Sequence, residues 1–291
     1  CISHFHYTDG YAYDASTFGS TDSVTGEWKI NTSPSITMGT NGFTILKDGN
    51  TITDQSANSN NFTLGAGTLT NTEDCPSNVF ATINTLQGAI ASGYTVANGN
   101  LGITANTGSA WRSLPATLAA SSGKFYWEVK ITGFSTGMHF GVQDVEQAPQ
   151  SNAYAYQYSR AYMYKDDGGI ANNGNVASYG NSWTTNDIVG VAVDLDNNKI
   201  YFSKNGTFQN SGVPTSGSTG TGAAYTLASG YTYTPMFSTN ASADTFQYNF
   251  GNGFFGTSAI SSEGTNASGI GKFEYDVPTG YTALSTKGLN E

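Results

Sequence analysis

The chain has 291 residues, carries a net charge of −10 and contains 36 glycines. Eleven Lys and Arg stand against 21 Asp and Glu, which argues against a nucleic-acid partner or an anionic membrane surface, because both are recognised by basic side chains. No run approaches the ~20 apolar residues of a membrane span, no signal peptide is visible, and two cysteines do not make a disulfide framework.

The composition favours short strands joined by tight turns. Gly, Ser, Thr and Asn are abundant, 13% of the residues are aromatic, and no long apolar stretch repeats every 3.6 residues. We therefore predict an all-β chain with two parts. A smaller β-rich, loop-rich segment covers residues 1–95, and an antiparallel β-sandwich covers residues 96–291.

The first stretch, residues 1–28, begins as a strand. The strand pattern is the alternation of Ile2, His4 and His6 with Ser3 and Phe5, and Asp9-Gly10 then turns the chain. From Phe5 to Trp28, the pattern F-x-x-T-D-G … D-A-S-x-F-G-x-x-D-x-x-T-G-x-W resembles a segment of tailed-bacteriophage structural proteins that often follows a laminin-G-like lectin domain. The chain also begins without Met, so we expect residues 1–95 to hold the truncated end of such a domain and a connector.

Residues 29–95 carry the same resemblance. Thr44–Lys47 and Asn50–Thr53 predict two strands joined by an Asp48-Gly49 turn. DQSANSNNF at Asp54–Phe62 and DCPSNVFAT at Asp74–Thr82 are similar to a loop and a linker of the phage proteins. A simpler alternative is that Asx turns and the extended backbone before a proline account for both stretches.

Three motifs follow in the second part, after a predicted strand–turn–strand over residues 96–122 in which Trp111 is buried. GKFYWEV at Gly123–Val129 and MHFGVQD at Met138–Asp144 each predict a strand. In DIVGVAVDLDNNKIYFSKNG, Asp187–Gly206, branched apolar residues occupy every second position of the first half. An Asn-Gly turn ends the second half, so we predict a central β-hairpin.

These three motifs resemble the opening strand, the G-V strand and the signature hairpin of the SPRY (B30.2-like) family, and Tyr233–Gly251 is similar to its closing segment. The resemblance covers roughly residues 123–255. It implies a concanavalin A-like sandwich and says little about the ligand. The tail, Phe273–Leu289, resembles the end of the phage proteins, and its apolar alternation over Phe273–Val277 predicts a late strand.

Metal binding has weak support in the sequence. Asp194, Asp196 and Asn198 begin like a calcium loop, but Lys199 and Asn205 stand where a glycine and a glutamate are needed, which favours a plain turn. A hard cation could be held by Asp54, Asn58, Asn60 and Asn61, although loop contacts explain them better. Zinc would need Cys1, His4 and His6 with Cys75 or His139. We predict no metal and no cofactor.

Catalysis has little support either. No G-x-S-x-G elbow occurs. The E-x-D-x-x-E pattern that lectin-type sandwiches use to hydrolyse glycans is absent, although glycoside hydrolysis needs two facing carboxylates roughly 5–10 Å apart. We predict that the chain is not an enzyme, and a polysaccharide-degrading activity is a less favoured alternative. A stand-alone eukaryotic-style SPRY adaptor is the weakest option, because it would leave residues 1–95 unexplained.

A tyrosine-rich stretch, Tyr154–Tyr164, is the candidate binding site. Its two-residue spacing predicts rows of partly exposed rings beside polar residues, and tyrosine and tryptophan offer large contact areas to a glycan or protein. The predicted members are Tyr154, Tyr156, Tyr158, Arg160, Asp166, Asp167 and Trp183. The alternative is that these rings pack on the sandwich.

Together, the two resemblances imply a non-catalytic structural protein of a tailed bacteriophage, such as a tail-fibre, tail-associated or capsid-surface component. Its predicted location is the virion, outside the cell. Its partners would be other virion proteins and a host-surface glycan or protein, in a trimer or another symmetric homo-oligomer. A secreted or cell-surface lectin-like adhesin is the alternative.

Overall fold

The computed structural model describes residues 2–23, 26, 28–47, 51–67, 69, 73–75, 78–86, 93–108, 110–147 and 154–290. The chain divides into two compact units, Cys1–Val79 and Phe80–Glu291. The predicted turn at Asp48-Gly49, the candidate ligand Cys1 and part of the Asp74–Thr82 linker lie outside the described residues.

The first unit consists of short paired strands and one helical turn. β1 (Phe5–Tyr7) pairs with β4 (Phe43–Ile45), β2 (Gly19–Thr21) pairs with β3 (Trp28–Ile30), and α1 (Ala15–Phe18) precedes β2. The rings of Phe5, Tyr7 and Phe62 lie 5.8, 5.4 and 4.6 Å from the ring of Phe43. The predicted strand after the Asp48-Gly49 turn is wrong, because residues 51–53 are not in a strand.

Asp54 organises the Asn-rich loop of this unit. Its carboxylate accepts hydrogen bonds from the backbone N–H groups of Thr44, Ser56 and Asn60, at 2.8–2.9 Å. Burial alone would raise the pKa of Asp54, but these hydrogen bonds hold it below its ordinary value. The side-chain amides of Asn58 and Asn60 also donate to loop carbonyl groups. The polar side chains of this stretch therefore bind its own backbone.

The second unit is built almost entirely of strands. In chain order they are β5 (Tyr94–Ala97), β6 (Gly102–Asn106), β7 (Arg112–Pro115), β8 (Lys124–Gly133), β9 (Met138–Asp144), β10 (Ala161–Lys165), β11 (Gly169–Asn172), β12 (Asn175–Ser178), β13 (Ile188–Asp194), β14 (Lys199–Lys204), β15 (Thr207–Phe208), β16 (Tyr225–Thr226), β17 (Tyr233–Thr239), β18 (Ser242–Asn249), β19 (Phe254–Phe255), β20 (Ser258–Ala259) and β21 (Thr282–Ala283). Short 3-10 helices lie at Ala155–Gln157, Gln209–Ser211, Pro214–Thr219 and Gly288–Asn290.

Two antiparallel sheets pack face to face. Within the described residues, the first has the strand order β12-β11-β10-β9-β17-β7, and the second has the order β15-β14-β13-β8-β18-β6-β5, with β16 added beside β14. Large side chains from both sheets fill the core, among them Trp127, Phe140, Phe237 and Phe246. The predicted all-β class and the antiparallel sandwich are confirmed.

The central hairpin forms as predicted. β13 pairs with β14 so that Val189 stands opposite Lys204 and Val193 opposite Ile200, and the valines of β13 are buried. The residues between the valines are buried too, because both faces of this strand are covered. A Cβ at Gly190 would lie 2.8 Å from the hydroxyl of Tyr126, so the glycine allows a close approach there.

The C-terminal segment covers the outer face of the second sheet. Phe273 packs edge-on against Tyr126 at 5.1 Å. β21 pairs in parallel with the first half of β8, next to the point where the pairing of β18 with β8 ends at Asn249. The predicted late strand at Phe273–Val277 is wrong. The backbone N–H groups of Glu274 and Tyr275 donate to the carboxylate of Glu128, and that of Val277 donates to the carbonyl of Thr265, which lies in a loop.

Candidate functional site

The tyrosine-rich stretch divides into two parts. Tyr162 and Tyr164 lie in β10 and are buried. Tyr154–Tyr158, here called the tyrosine segment, contains a 3-10 turn and crosses the outer face of the first sheet. Its buried Ala155 packs with three side chains of that face, Ala161, Met163 and Met236. The stretch is therefore not one strand with a continuous row of rings.

Four rings form an aromatic surface on this outer face, made of Trp111, His139, Tyr154 and Tyr156. Tyr154 stacks on Tyr156 with 4.4 Å between ring centroids, and Trp111 stacks on His139 at 4.8 Å. Trp111 meets Tyr154 edge-on at 5.5 Å, and His139 meets Tyr156 edge-on at 5.2 Å. Trp111, Tyr154 and Tyr156 are partly exposed, while His139 is 2% exposed and forms the floor.

Strand pairing brings this surface together from distant parts of the chain. β17 lies between β9 and β7, with Ser238 opposite both His139 and Ser113. Trp111 directly precedes β7, so it stands near His139 although the two are far apart in sequence. The tyrosine segment then lies over β9, and its Ala155 N–H donates to the hydroxyl of Ser238 at 3.4 Å.

His139 is neutral at the floor of the aromatic surface. Burial, with a smaller contribution from the nearby Lys165, lowers its pKa to about 3. Its Nε2 lies 4.0 Å from Oδ1 of Asp166, whose own pKa is raised by burial. In the described part of the chain, no hydrogen-bond partner reaches Nδ1 of His139.

Asn240 borders the same surface. A Cβ at Gly137 would lie 2.1 Å from Oδ1 of Asn240 and 3.4 Å from the ring of Trp111, which places this amide beside the tryptophan. Its Oδ1 is buried, and no donor among the described residues reaches it. Buried acceptors are nearly always satisfied in folded proteins. This acceptor is therefore unsatisfied among the described residues, and a bound molecule could supply the missing donor only if neighbouring side chains moved.

The other predicted site residues lie apart from the rings or at their margin. The guanidinium of Arg160 donates to Asp144 at 2.5 Å and lies 4.2 Å above the ring of Tyr231. Asp144 is five residues along β9 from His139, which corresponds to about 17 Å. Asp167 is exposed and binds Lys165 at 2.7 Å.

Trp183 and Tyr158 are also accounted for by the fold. Trp183 is 2% exposed and packs in the core against Phe140 at 5.3 Å. Tyr158 packs against the small cluster beneath the tyrosine segment. The structure thus brings Tyr154, Tyr156 and Asp166 together. It adds Trp111, His139 and Asn240, which only the strand register could have revealed.

This arrangement suits binding better than catalysis. Ser238 faces His139 across the strands, but its hydroxyl is bonded to Ser113 at 2.9 Å and both serines are fully buried. A substrate could not reach them without moving the tyrosine segment. Over the described ranges, no group of three or more His, Cys, Asp or Glu residues is placed to hold a metal ion. No helix in the same ranges is long and apolar enough to cross a membrane.

Comparison with known proteins identifies the central part of the second unit. The SPRY domain family profile matches residues 124–253, which run from β8 to just beyond β18. Residues 124–253 form a SPRY domain. The SPRY domain holds three of the four rings of the aromatic surface, and Trp111 precedes it.

Curated relatives of this SPRY region are Ran-binding proteins. The Ran-binding proteins 9/10 homolog of Drosophila melanogaster is 30% identical over 91 residues, which are 31% of this chain and 10% of that protein. Ran-binding protein 9 is 31% identical over 91 residues in both Danio rerio and Mus musculus. These residues are 15% of the Danio rerio protein and 14% of the Mus musculus protein. The match therefore spans only a small part of each relative. The solved SPRY domain of human HERC1 has a TM-score of 0.44 and 19% identity, over 53% of this chain and 91% of that one.

These relatives overturn the predicted phage function. The matched proteins are Ran-binding proteins of animals and not virion components, so the predicted tail-fibre or capsid role is wrong. The same finding contradicts the predicted partners, virion proteins in a symmetric assembly and host-surface glycans, and the virion or extracellular location. The phage resemblance depended in part on the Asn-rich loop Asp54–Phe62, and in the structure Asp54 and its neighbours bind their own backbone, as ordinary turns do.

Proposed function

We propose that the SPRY domain binds a partner protein through the aromatic surface and catalyses no reaction. The observation that carries this proposal is the pair of ring stacks, Tyr154 on Tyr156 and Trp111 on His139, in which three rings are partly exposed and His139 is buried beneath them. Rings that are already ordered lose little conformational entropy on binding, and tyrosine and tryptophan dominate the energetics of many protein interfaces.

The polar rim supports a peptide as the ligand. The unsatisfied acceptor Oδ1 of Asn240 is buried beside Trp111, and a backbone N–H of an extended peptide is a donor of the right kind once neighbouring side chains move aside. The Asp166 carboxylate, which accepts from the N–H of Gly137 at 3.4 Å and so lies near the same amide, favours a peptide with a basic or hydroxyl side chain next to its aromatic contact. The names of the relatives, Ran-binding proteins, are in keeping with a protein partner.

The test uses a displayed library of random twelve-residue peptides selected on the full chain, with the best peptide measured by calorimetry. We expect Trp111→Ala and Tyr154→Ala each to weaken that peptide at least tenfold, because each removes one ring of a stack. Val213→Ala, which shortens an exposed apolar side chain on a loop far along the chain, should leave the affinity unchanged. Thermal unfolding checks that the variants remain folded. Equal affinity for wild type and for both of these variants, or no enriched peptide, would overturn the proposal.

A further inference from the structure

The edge strand β12 is the second surface with binding chemistry, and it is separate from the four rings. β12 ends the first sheet, and all four of its residues, Asn175–Ser178, are exposed. It pairs only with β11 in the described structure, with Asn172 opposite Asn175 and Ala171 opposite Val176. Its other side is an open row of backbone donors and acceptors.

The turn geometry shows which backbone groups face outwards. Asn173 and Gly174 have φ angles of +51° and +75°, as a two-residue hairpin turn requires. The residues flanking such a turn, Asn172 and Asn175, form a hydrogen-bonded pair. Along the hairpin, non-hydrogen-bonded and hydrogen-bonded pairs then alternate. The N–H and C=O groups of Val176 and Ser178 therefore point away from β11, and no other strand among the described residues pairs with them.

This edge lacks the features that normally protect a sheet edge. Such edges carry charged side chains, prolines or bulges that prevent the addition of another strand. β7, at the opposite edge of the same sheet, has both Arg112 and Pro115, and its Pro115 carbonyl accepts a hydrogen bond from Asn84. β12 has none of these features, and its Val176 side chain is 52% exposed.

The edge is also held rigidly. The N–H of Asn173 donates to the carbonyl of Tyr158 at 3.2 Å, and the N–H of Gly174 donates to the carbonyl of Tyr156 at 2.9 Å. The side-chain amide of Asn172 donates to the carbonyls of Ser159 and Ala161. The hairpin of β11 and β12 is thus fixed to the tyrosine segment, so a strand that adds to it loses little free energy in ordering the edge.

The geometry points to β12 as the binding site for an extended, uncharged segment of a partner protein, which adds as a further strand of the first sheet. Charge matching favours this occupant: the four residues of β11 and the four of β12 contain no charged side chain, so a charge placed opposite them finds no counter-ion within the hairpin. Small or β-branched residues at alternate positions of the segment would lie beside Val176 on one face and Ala177 on the other.

The test separates this site from the aromatic surface. A displayed library of ten-residue peptides, with Val, Ile or Thr at alternate positions and no charged residue, is selected on the Trp111→Ala variant of the full chain. The best peptide is then bound to wild type at saturation. We expect hydrogen exchange of the Val176 and Ser178 amides to slow at least tenfold, while the already bonded Ala177 amide changes little.

Proline variants provide the second measurement. Val176→Pro and Ser178→Pro each remove an outward N–H without removing a hydrogen bond to β11, so they should fold and weaken the peptide at least tenfold. Val176→Thr and Ser178→Ala keep the outward N–H and should bind as wild type does. The inference would be overturned if hydrogen exchange at the Val176 and Ser178 amides did not change when the peptide binds. It would also be overturned if a folded proline variant bound the peptide as tightly as wild type does. Neither result would bear on the proposed role of the aromatic surface.

Discussion

The carboxylate of Glu128 accepts a hydrogen bond from the backbone N–H of Tyr275 at 2.9 Å, although Tyr275 lies outside the matched SPRY region. The same fully buried carboxylate accepts from the N–H of Glu274 at 2.9 Å, the hydroxyl of Tyr126 at 3.1 Å and the amide of Asn249 at 3.3 Å. One side chain of the SPRY domain therefore holds the C-terminal segment in place.

Removing this carboxylate should destabilise the whole second unit. Glu128→Ala leaves two backbone N–H groups and a tyrosine hydroxyl without their acceptor, and each orphaned buried group costs about 1–3 kcal/mol. We expect the free energy of unfolding in urea to fall by roughly 3 kcal/mol or more. Glu263→Ala is the matched control, because Glu263 is half-exposed and its 3.8 Å contact with Lys272 is a surface pair of little value. Similar small effects of both variants would contradict the prediction.

Glu128 should also make stability depend on pH. Burial raises its pKa from an ordinary value of 4.5 to about 7, so the folded state binds this proton more tightly than the unfolded state does. The contribution to stability is then greatest below pH 4.5, falls as the pH rises to about 7, and stays level above it. Between pH 4.5 and pH 8, we expect the free energy of unfolding of wild type to fall by roughly 3 kcal/mol at most relative to that of Glu128→Gln. Urea unfolding of both proteins at several pH values measures the difference, and a constant difference would rule the effect out.

The glycine of the MHFGVQD motif should be irreplaceable. A Cβ at Gly141 would lie 1.9 Å from the carbonyl oxygen of Tyr162 and 3.0 Å from the Cα of Met163, and both atoms belong to the backbone of β10. A backbone cannot move aside as a flexible side chain can, so Gly141→Ala should cost about 2–3 kcal/mol. Gly65→Ala, where a Cβ meets nothing within 4 Å, should change the melting temperature by little. Equal melting temperatures for the two variants would show that the sheet accommodates the methyl group.

His139 should remain neutral throughout the physiological range. Because burial lowers its pKa to about 3, its Cε1–H chemical shift should stay constant between pH 5 and pH 8, whereas an exposed imidazole titrates near 6.5. The resonance is assigned by its absence from the spectrum of His139→Phe. A midpoint between pH 5 and 7 would show that the imidazole is solvated and that the tyrosine segment does not cover it in solution.

The sequence predicts the central hairpin correctly because its signals are local. Alternating valines and two turn-forming dipeptides determine β13 and β14 without help from the rest of the chain. The aromatic surface depends on register, since Trp111 and His139 meet only when β7 and β9 both pair with β17. No pattern in a single sequence reports that register.

The errors have physical explanations as well. The alternation at Phe273–Val277 resembles a strand, but the backbone there finds the carboxylate of Glu128 and has no free strand beside it. The even spacing of tyrosines crosses from a 3-10 turn into β10, so rings that are neighbours in sequence separate in space. Loops rich in Asp and Asn fold back on themselves in many unrelated proteins, which is why their likeness to phage proteins was misleading.

The position of β21 determines how far this protein can be shortened from its C-terminal side without losing contacts of β8. A polypeptide ending at residue 253 would keep every strand of the matched SPRY region. Phe125 and Tyr126, however, would lose their pairing with β21, and Glu128 would lose its two backbone N–H donors. The SPRY match therefore stops short of the segment that completes the contacts of β8.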